Sequence, residues 1–159
     1  MKETVLEYLP RPYDLHDRTI AKLKLADGDL KIWMEDGLTV MREPYDLVAG
    51  YLLLQRVDLD DCQIFLLSKE GGFGKFKGKK LRLKDFFKKY KKCTFLVQDE
   101  LHGYKQVQFS GLLHLPGKDQ PLEYNMTLRY KGDFLYMTDE EAPALPEADP
   151  EVPEAPAEE

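Results

Sequence analysis

Between residues 122 and 131, Leu122, Tyr124, Met126, Leu128 and Tyr130 alternate with Glu123, Asn125, Thr127, Arg129 and Lys131. Successive side chains of a strand point to opposite faces, so this period of two predicts a strand with one apolar and one polar face. Gly132-Asp133 then supplies a tight turn into a last apolar strand, DFLYMT at 133–138. Upstream, TIAKLKLADGDLKIWMEDGLTVMRE shows alternation interrupted by Asp27-Gly28 and Asp36-Gly37. Asp-Gly readily takes the positive φ angles of a type I′ turn, which predicts a meander of three strands near 18–25, 29–35 and 38–43. Pro44 to Gly50 reads as a turn or a short helical piece. YLLLQRV at 51–57 and CQIFLLS at 62–68 are apolar on parts of both faces, as in central strands, and the acidic turn Asp58-Leu59-Asp60-Asp61 joins them. Two more strands are expected within TFLVQDE at 94–100 and YKQVQFSGLLHL at 104–115, where Gly111 marks a bulge.

One segment has a different period. Leu83, Phe86, Phe87 and Tyr90 fall at i, i+3, i+4 and i+7, which puts all four on one face of a helix near 83–92. The predicted class is α+β. About eight to ten mostly antiparallel strands form a barrel-like or strongly bent sheet around that helix, and the pattern does not choose between barrel and sandwich.

At 159 residues, with 43% hydrophobic and 33% charged residues, the chain suits one globular domain that buries its own core. No apolar run is long enough to span a bilayer as a helix or to serve as a secretory signal, so a cytoplasmic location with no membrane partner is expected. The net charge of −6 hides a segregation. Residues 139–159 carry nine acids, no base and five prolines, and read as a disordered tail behind a domain spanning 1–138. Residues 75–92 (KFKGKKLRLKDFFKKYKK) carry ten bases and one acid, Asp85.

Familiar chemical motifs are missing. Gly72 and Gly78 are five residues apart in their intervening count, Gly74 and Gly78 three, and Lys80 stands where a P-loop needs a hydroxyl. Lys77 stands where a dinucleotide fingerprint needs its third glycine, so Gly71 to Lys80 reads as a flexible basic loop. Asp99-Glu100-Leu101-His102 resembles a helicase acidic box by chance alone, since no P-loop accompanies it. Asp58 to Asp61 opens like a calcium loop, but Gln63 and Lys69 replace the required Gly and Glu. His16, His102 and His114 lack a His or Cys at metal-ligand spacing and are expected to be solvated, His102 in a turn and His114 on a polar strand face. Cys62 and Cys93 form no CxxC pair, and Cys93 beside Lys91 and Lys92 is expected to have a mildly lowered pKa. Ser68 and Ser110 are the only serines, and neither lies in GxSxG. No catalytic residue, cofactor or metal is therefore expected.

The basic segment is the remaining lead. Lys88, Lys89, Lys91 and Lys92 solvate a helix and oppose its C-terminal dipole. Lys75, Lys77, Lys79, Lys80, Arg82 and Lys84 precede or open that helix, where positive charge is unfavourable, so an anion is expected to compensate them. The expected function is a non-catalytic binding domain that engages an anionic macromolecule, an acidic protein or a nucleic-acid backbone. Phe73, Lys75, Phe76, Lys77, Lys79, Lys80, Arg82, Lys84, Lys88 and Lys89 would form the site. Nine of the ten bases are Lys, a point charge without the base-reading fork of Arg, so any nucleic-acid contact would carry little sequence specificity. The acidic tail is a candidate intramolecular screen for this segment. Two other classes remain open: an adaptor or inhibitor module with no nucleic-acid affinity, and a small enzyme with an internal barrel cavity.

Overall fold

A computed structural model describes residues 1–7, 11–67 and 78–139 of the chain. In chain order the strands are β1 (Lys2–Val5), β2 (Tyr13–Asp14), β3 (Thr19–Ala26), β4 (Asp29–Met34), β5 (Leu38–Val40), β6 (Leu47–Val48), β7 (Gly50–Leu54) and β8 (Gln63–Leu67). After them come β9 (Lys79–Arg82), the helix α1 (Leu83–Lys89), β10 (Thr94–Gly103), β11 (Gln106–His114), β12 (Leu122–Arg129) and β13 (Phe134–Thr138). Ten strands form one sheet in the order β1-β13-β7-β4-β3-β10-β11-β12-β8-β9, and β2, β5 and β6 form a small second sheet. All of the pairings are antiparallel. The expected α+β class with mostly antiparallel strands and one helix is the observed one. The large sheet is open rather than a closed barrel, with β1 and β9 at its ends.

The sheet curls. Three strands lie between β10 and β13 in the sheet order, which on a flat sheet would set them about 19 Å apart. Yet the rings of His102 on β10 and Phe134 on β13 are 5.3 Å apart, edge to face. The two halves therefore fold over onto each other. Their apolar faces meet in one core that includes Ile32, Leu52 and Tyr136 from one half and Ile64, Phe109 and Met126 from the other. The halves are hinged at β3–β10, which pairs only Phe95 with Ile20 and Leu96 with Thr19.

A β-bulge beside this joint decides which face of β10 is buried. Val97 pairs with Gly111 and Asp99 with Ser110, so Gln98 is the extra residue. Before it, Phe95 and Val97 point inward; after it, the inward positions are Glu100 and His102, opposite buried Phe109 and Val107. An inserted residue exchanges the two faces of a strand, so Leu101 is turned out and is 64% exposed. Gly111 marks the bulge as expected, although the extra residue belongs to the facing strand. Its φ is +156°, and a Cβ there would run into the carbonyl oxygen of Leu96.

Three local expectations are corrected. The Asp27-Gly28 turn forms, with φ of 54° and 83° between paired Ala26 and Asp29, but Asp36-Gly37 does not make a second hairpin. β4 pairs instead with β7, which matches Leu30 and Ile32 with Leu54 and Leu52 on the core face, and β5 crosses to the small sheet. Leu38–Val40 is too short to offer β4 as much apolar partner surface. The helix stops at Lys89 rather than at 92 because Tyr90 is already extended, its ring stacked on Phe86 at 4.9 Å. Lys79 and Lys80 lie on strand β9 rather than in a loop, since an edge strand tolerates lysines that alternation rules do not read as a strand. Gly71 to Lys77 and the tail from residue 140 onward lie outside the described residues.

Gly111→Ala is expected to lower stability by about 3 kcal/mol, from the positive φ plus the backbone clash. Gly117→Ala, at φ +74° with open space around it, should cost about 1–2 kcal/mol. Urea denaturation of the two variants checks the difference.

Candidate functional site

The structure distributes the basic residues over one strand and one helix. Lys79, Lys80 and Arg82 belong to β9, the terminal strand of the large sheet, while Lys84, Lys88 and Lys89 belong to α1. Leu83 and Phe86 are fully buried, and the Phe86 ring lies 5.8 Å from Phe95, so α1 is anchored to the core by its apolar face. Lys80 packs its amino group 5.7 Å over the ring of Phe65, its partner on β8. Phe73, Lys75, Phe76 and Lys77 lie outside the described residues.

Part of the cationic charge is compensated within the fold. Arg82 Nε donates to Asp85 Oδ2 at 3.0 Å, and Arg82 Nη1 stands 3.7 Å from Asp60. Lys84 is 3.9 Å from the same carboxylate. These pairs answer the unfavourable charge at the start of α1, where Asp85 also suits the positive dipole end. Lys91 donates to the Phe87 carbonyl at 2.6 Å and caps the other end. Lys79, Lys80, Lys88 and Lys89 have no acidic partner among the described residues. The neighbouring Lys79 amino group pushes the Lys89 amino group below its ordinary value.

A second cluster was missed by the sequence reading. The bulge turns Glu100 and His102 inward, where their side chains are only 3% and 15% exposed. His102 Nε2 donates to Glu100 Oε2 at 2.7 Å, and Arg11 Nη1 stands 2.8 Å from Glu100 Oε1. That second contact is Coulombic, since neither atom meets its partner along a hydrogen-bond direction. His102 is thus neither solvated nor in a turn, because the bulge rather than the turn sets its orientation. His114 is exposed at the end of β11, as expected. The available signal was the spacing of two between Glu100 and His102, which puts both on one face of a strand. Nearby, burial and the carboxylate of Glu100 push the Tyr136 phenol up, and its hydroxyl is buried without a hydrogen-bond partner among the described residues.

Arg11, Glu100 and His102 border a concave cavity of about 550 Å³ between the end of β1 and the β10–β11 turn. Leu6, Tyr130 and Phe134 give it apolar walls, and exposed Leu101 and Tyr104 stand at its rim. Among the described residues, no group of three His, Cys, Asp or Glu could hold a metal ion. Both cysteines are free, and burial pushes the Cys93 thiol up, which corrects the lowering expected from Lys91 and Lys92. No helix among the described residues is long and apolar enough to cross a membrane.

Glu100→Ala should destabilise the fold by roughly 2–4 kcal/mol, because it strands the Arg11 guanidinium and His102 Nε2. Leu101→Ala, on the opposite face of the same strand, should change stability by less than about 0.5 kcal/mol. Chemical denaturation of the pair tests this. Comparison with protein-family profiles, with curated proteins and with solved structures returns no match to this chain.

Proposed function

We propose that the chain is a non-catalytic binding domain that engages an anionic macromolecule through its lysine-rich segment. The observation that carries this reading is the juxtaposition of Lys79 and Lys89, two fully exposed amino groups from different elements. Like charges held together repel, and a phosphate or carboxylate between them removes that repulsion. Lys80 and Lys88 extend the uncompensated set, whereas Arg82 and Lys84 already have carboxylates and contribute less. Phe73, Lys75, Phe76 and Lys77 extend the proposed site beyond the described residues.

Terminal-strand position explains some of these lysines independently, since lysine blunts a sheet edge against unwanted pairing. That role accounts for Lys79 and Lys80 but not for Lys88 and Lys89, which stand on the helix. The lysines recognise charge rather than sequence. An acidic polypeptide and a nucleic-acid backbone share the required chemistry, and salt dependence measures how many contacts either one makes.

The test is a salt titration of binding to single-stranded and duplex oligonucleotides and to a poly-glutamate peptide. At least one of these should bind at low salt. The double variant Lys79→Glu, Lys89→Glu should weaken it at least tenfold and flatten the salt slope, while Lys118→Glu should leave it unchanged. Deleting residues 139–159, with their nine acids, should strengthen binding if the tail screens the segment. Absence of binding to all three probes, with and without the tail, would refute the reading.

A further inference from the structure

The outer face of the large sheet at β3, β4 and β7 carries a surface that neither candidate site uses. Along β4, Lys31 and Trp33 alternate with the buried Leu30, Ile32 and Met34, so they point away from the core. Register extends each of them across the strands. One row runs Lys22, Trp33, Tyr51 and Met137, and the next runs Lys24, Lys31, Leu53 and Leu135. The Trp33 and Tyr51 rings lie 5.9 Å apart, and the Lys31 amino group stands 5.9 Å over the first and 5.4 Å over the second. Lys22 stands 5.3 Å over Trp33. An aromatic row thus borders a basic one.

Cross-strand packing and cation–π attraction account for the rings. They leave the lysine charge uncompensated. Asp29, Glu35 and Glu3 flank the rows in register, yet no carboxylate pairs with Lys22, Lys24 or Lys31 among the described residues.

The chain itself encodes a matching ligand. Asp139, two residues past Met137, is exposed and donates its amide to the Ala49 carbonyl at 2.9 Å, so residues 140–159 leave the fold beside this face. They hold five prolines, eight acids and no base. Such a composition favours the polyproline II helix, with three residues per turn. In PEVPEAP at 150–156, Pro150, Pro153 and Pro156 then form one ridge, and Glu151 and Glu154 the ridge beside it. The helical repeat of about 9.3 Å nearly equals two strand spacings, about 9.6 Å, so a segment crossing the strands stays in step with the rows. Residues 140–149 can reach about 30 Å, against roughly 14 Å from β13 to β3.

We propose that residues 150–156 dock on this face of their own chain in polyproline II form. The prolines pack on Trp33 and Tyr51, as proline-rich segments do in aromatic-lined grooves, and Glu151 and Glu154 pair with Lys31 and Lys24. The tail is then a ligand of the sheet, seated on other strands than those of the lysine-rich segment.

Trp33 is the only tryptophan, so the fluorescence and the indole N–H resonance of the full chain report on this seat directly. The triple variant Pro150→Ser, Pro153→Ser, Pro156→Ser should raise acrylamide quenching of Trp33 at least twofold and shift the indole resonance. The protection seen in the wild type should persist on dilution. Lys24→Glu combined with Lys31→Glu should release the tail in the same way. Should that pair fail to fold, the proline variant decides the matter, since it leaves the sheet unaltered. Equal quenching with an unshifted indole resonance would overturn the docking. So would proline-variant shifts confined to residues 79–89, which would place the tail on the lysine-rich segment. Protection lost on dilution would give the seat to a second copy. Single-stranded oligothymidylate that quenches Trp33 equally in wild type and proline variant would give it to a separate polyanion. Either result overturns the tail as occupant.

Discussion

A single inserted residue governs the face that β10 shows to the core. Strand geometry alternates faces strictly, so Phe95 and Val97 would otherwise be followed inward by Asp99 and Leu101. The bulge at Gln98 breaks that succession and substitutes Glu100 and His102. The backbone has room for it because Gly111, on the facing strand, has no side chain to meet the Leu96 carbonyl. Neighbouring contacts hold the bulged segment: the Asp17 amide donates to the Val97 carbonyl at 2.8 Å, and His16 Nδ1 lies 2.7 Å from the Gln98 carbonyl. The apolar interior therefore ends at the bulge, and a polar cluster begins.

The curl of the sheet makes that exchange matter. On a flat sheet, His102 would face solvent across from nothing. Folded over at the short β3–β10 joint, β10 lies against β13, and His102 meets Phe134. The same curl places Phe86 of the helix against Phe95. Helix α1 and strand β9 then carry their lysines on a platform fixed to the core by Leu83 and Phe86. Local sequence, one bulge and one joint thus position both candidate sites.

Much of this was legible in the sequence, and the failures have physical causes. Alternation located β12, whose Tyr124, Met126 and Leu128 are buried, because both neighbours of that strand are regular. The Asp27-Gly28 turn was readable because positive φ is a local demand. Asp36-Gly37 made the same demand, but β7 offered β4 a better apolar partner, and partner choice is not local. The helix was readable from four side chains, and its early end was not, since Tyr90 keeps its place on the core after the backbone has become extended. Edge strand β9 carries one apolar residue, Leu81, among three bases, so no pattern announced it. For the candidate sites, charge counting found the lysines and Asp85 but not Asp60, nor that these two carboxylates pair with Arg82 and Lys84. Gly111 signalled a bulge, yet which strand held the extra residue, and so which side chains turned inward, depended on the register of β10 against β11.

The inward face of β10 after Gln98 decides whether the polar cluster exists. Aromatic nuclear Overhauser contacts in solution test it. Contacts are expected between the His102 ring and the Phe134 ring, and none between Leu101 and Phe134. Contacts from Leu101 to Phe134, with His102 free of them, would show an unbulged strand and contradict it.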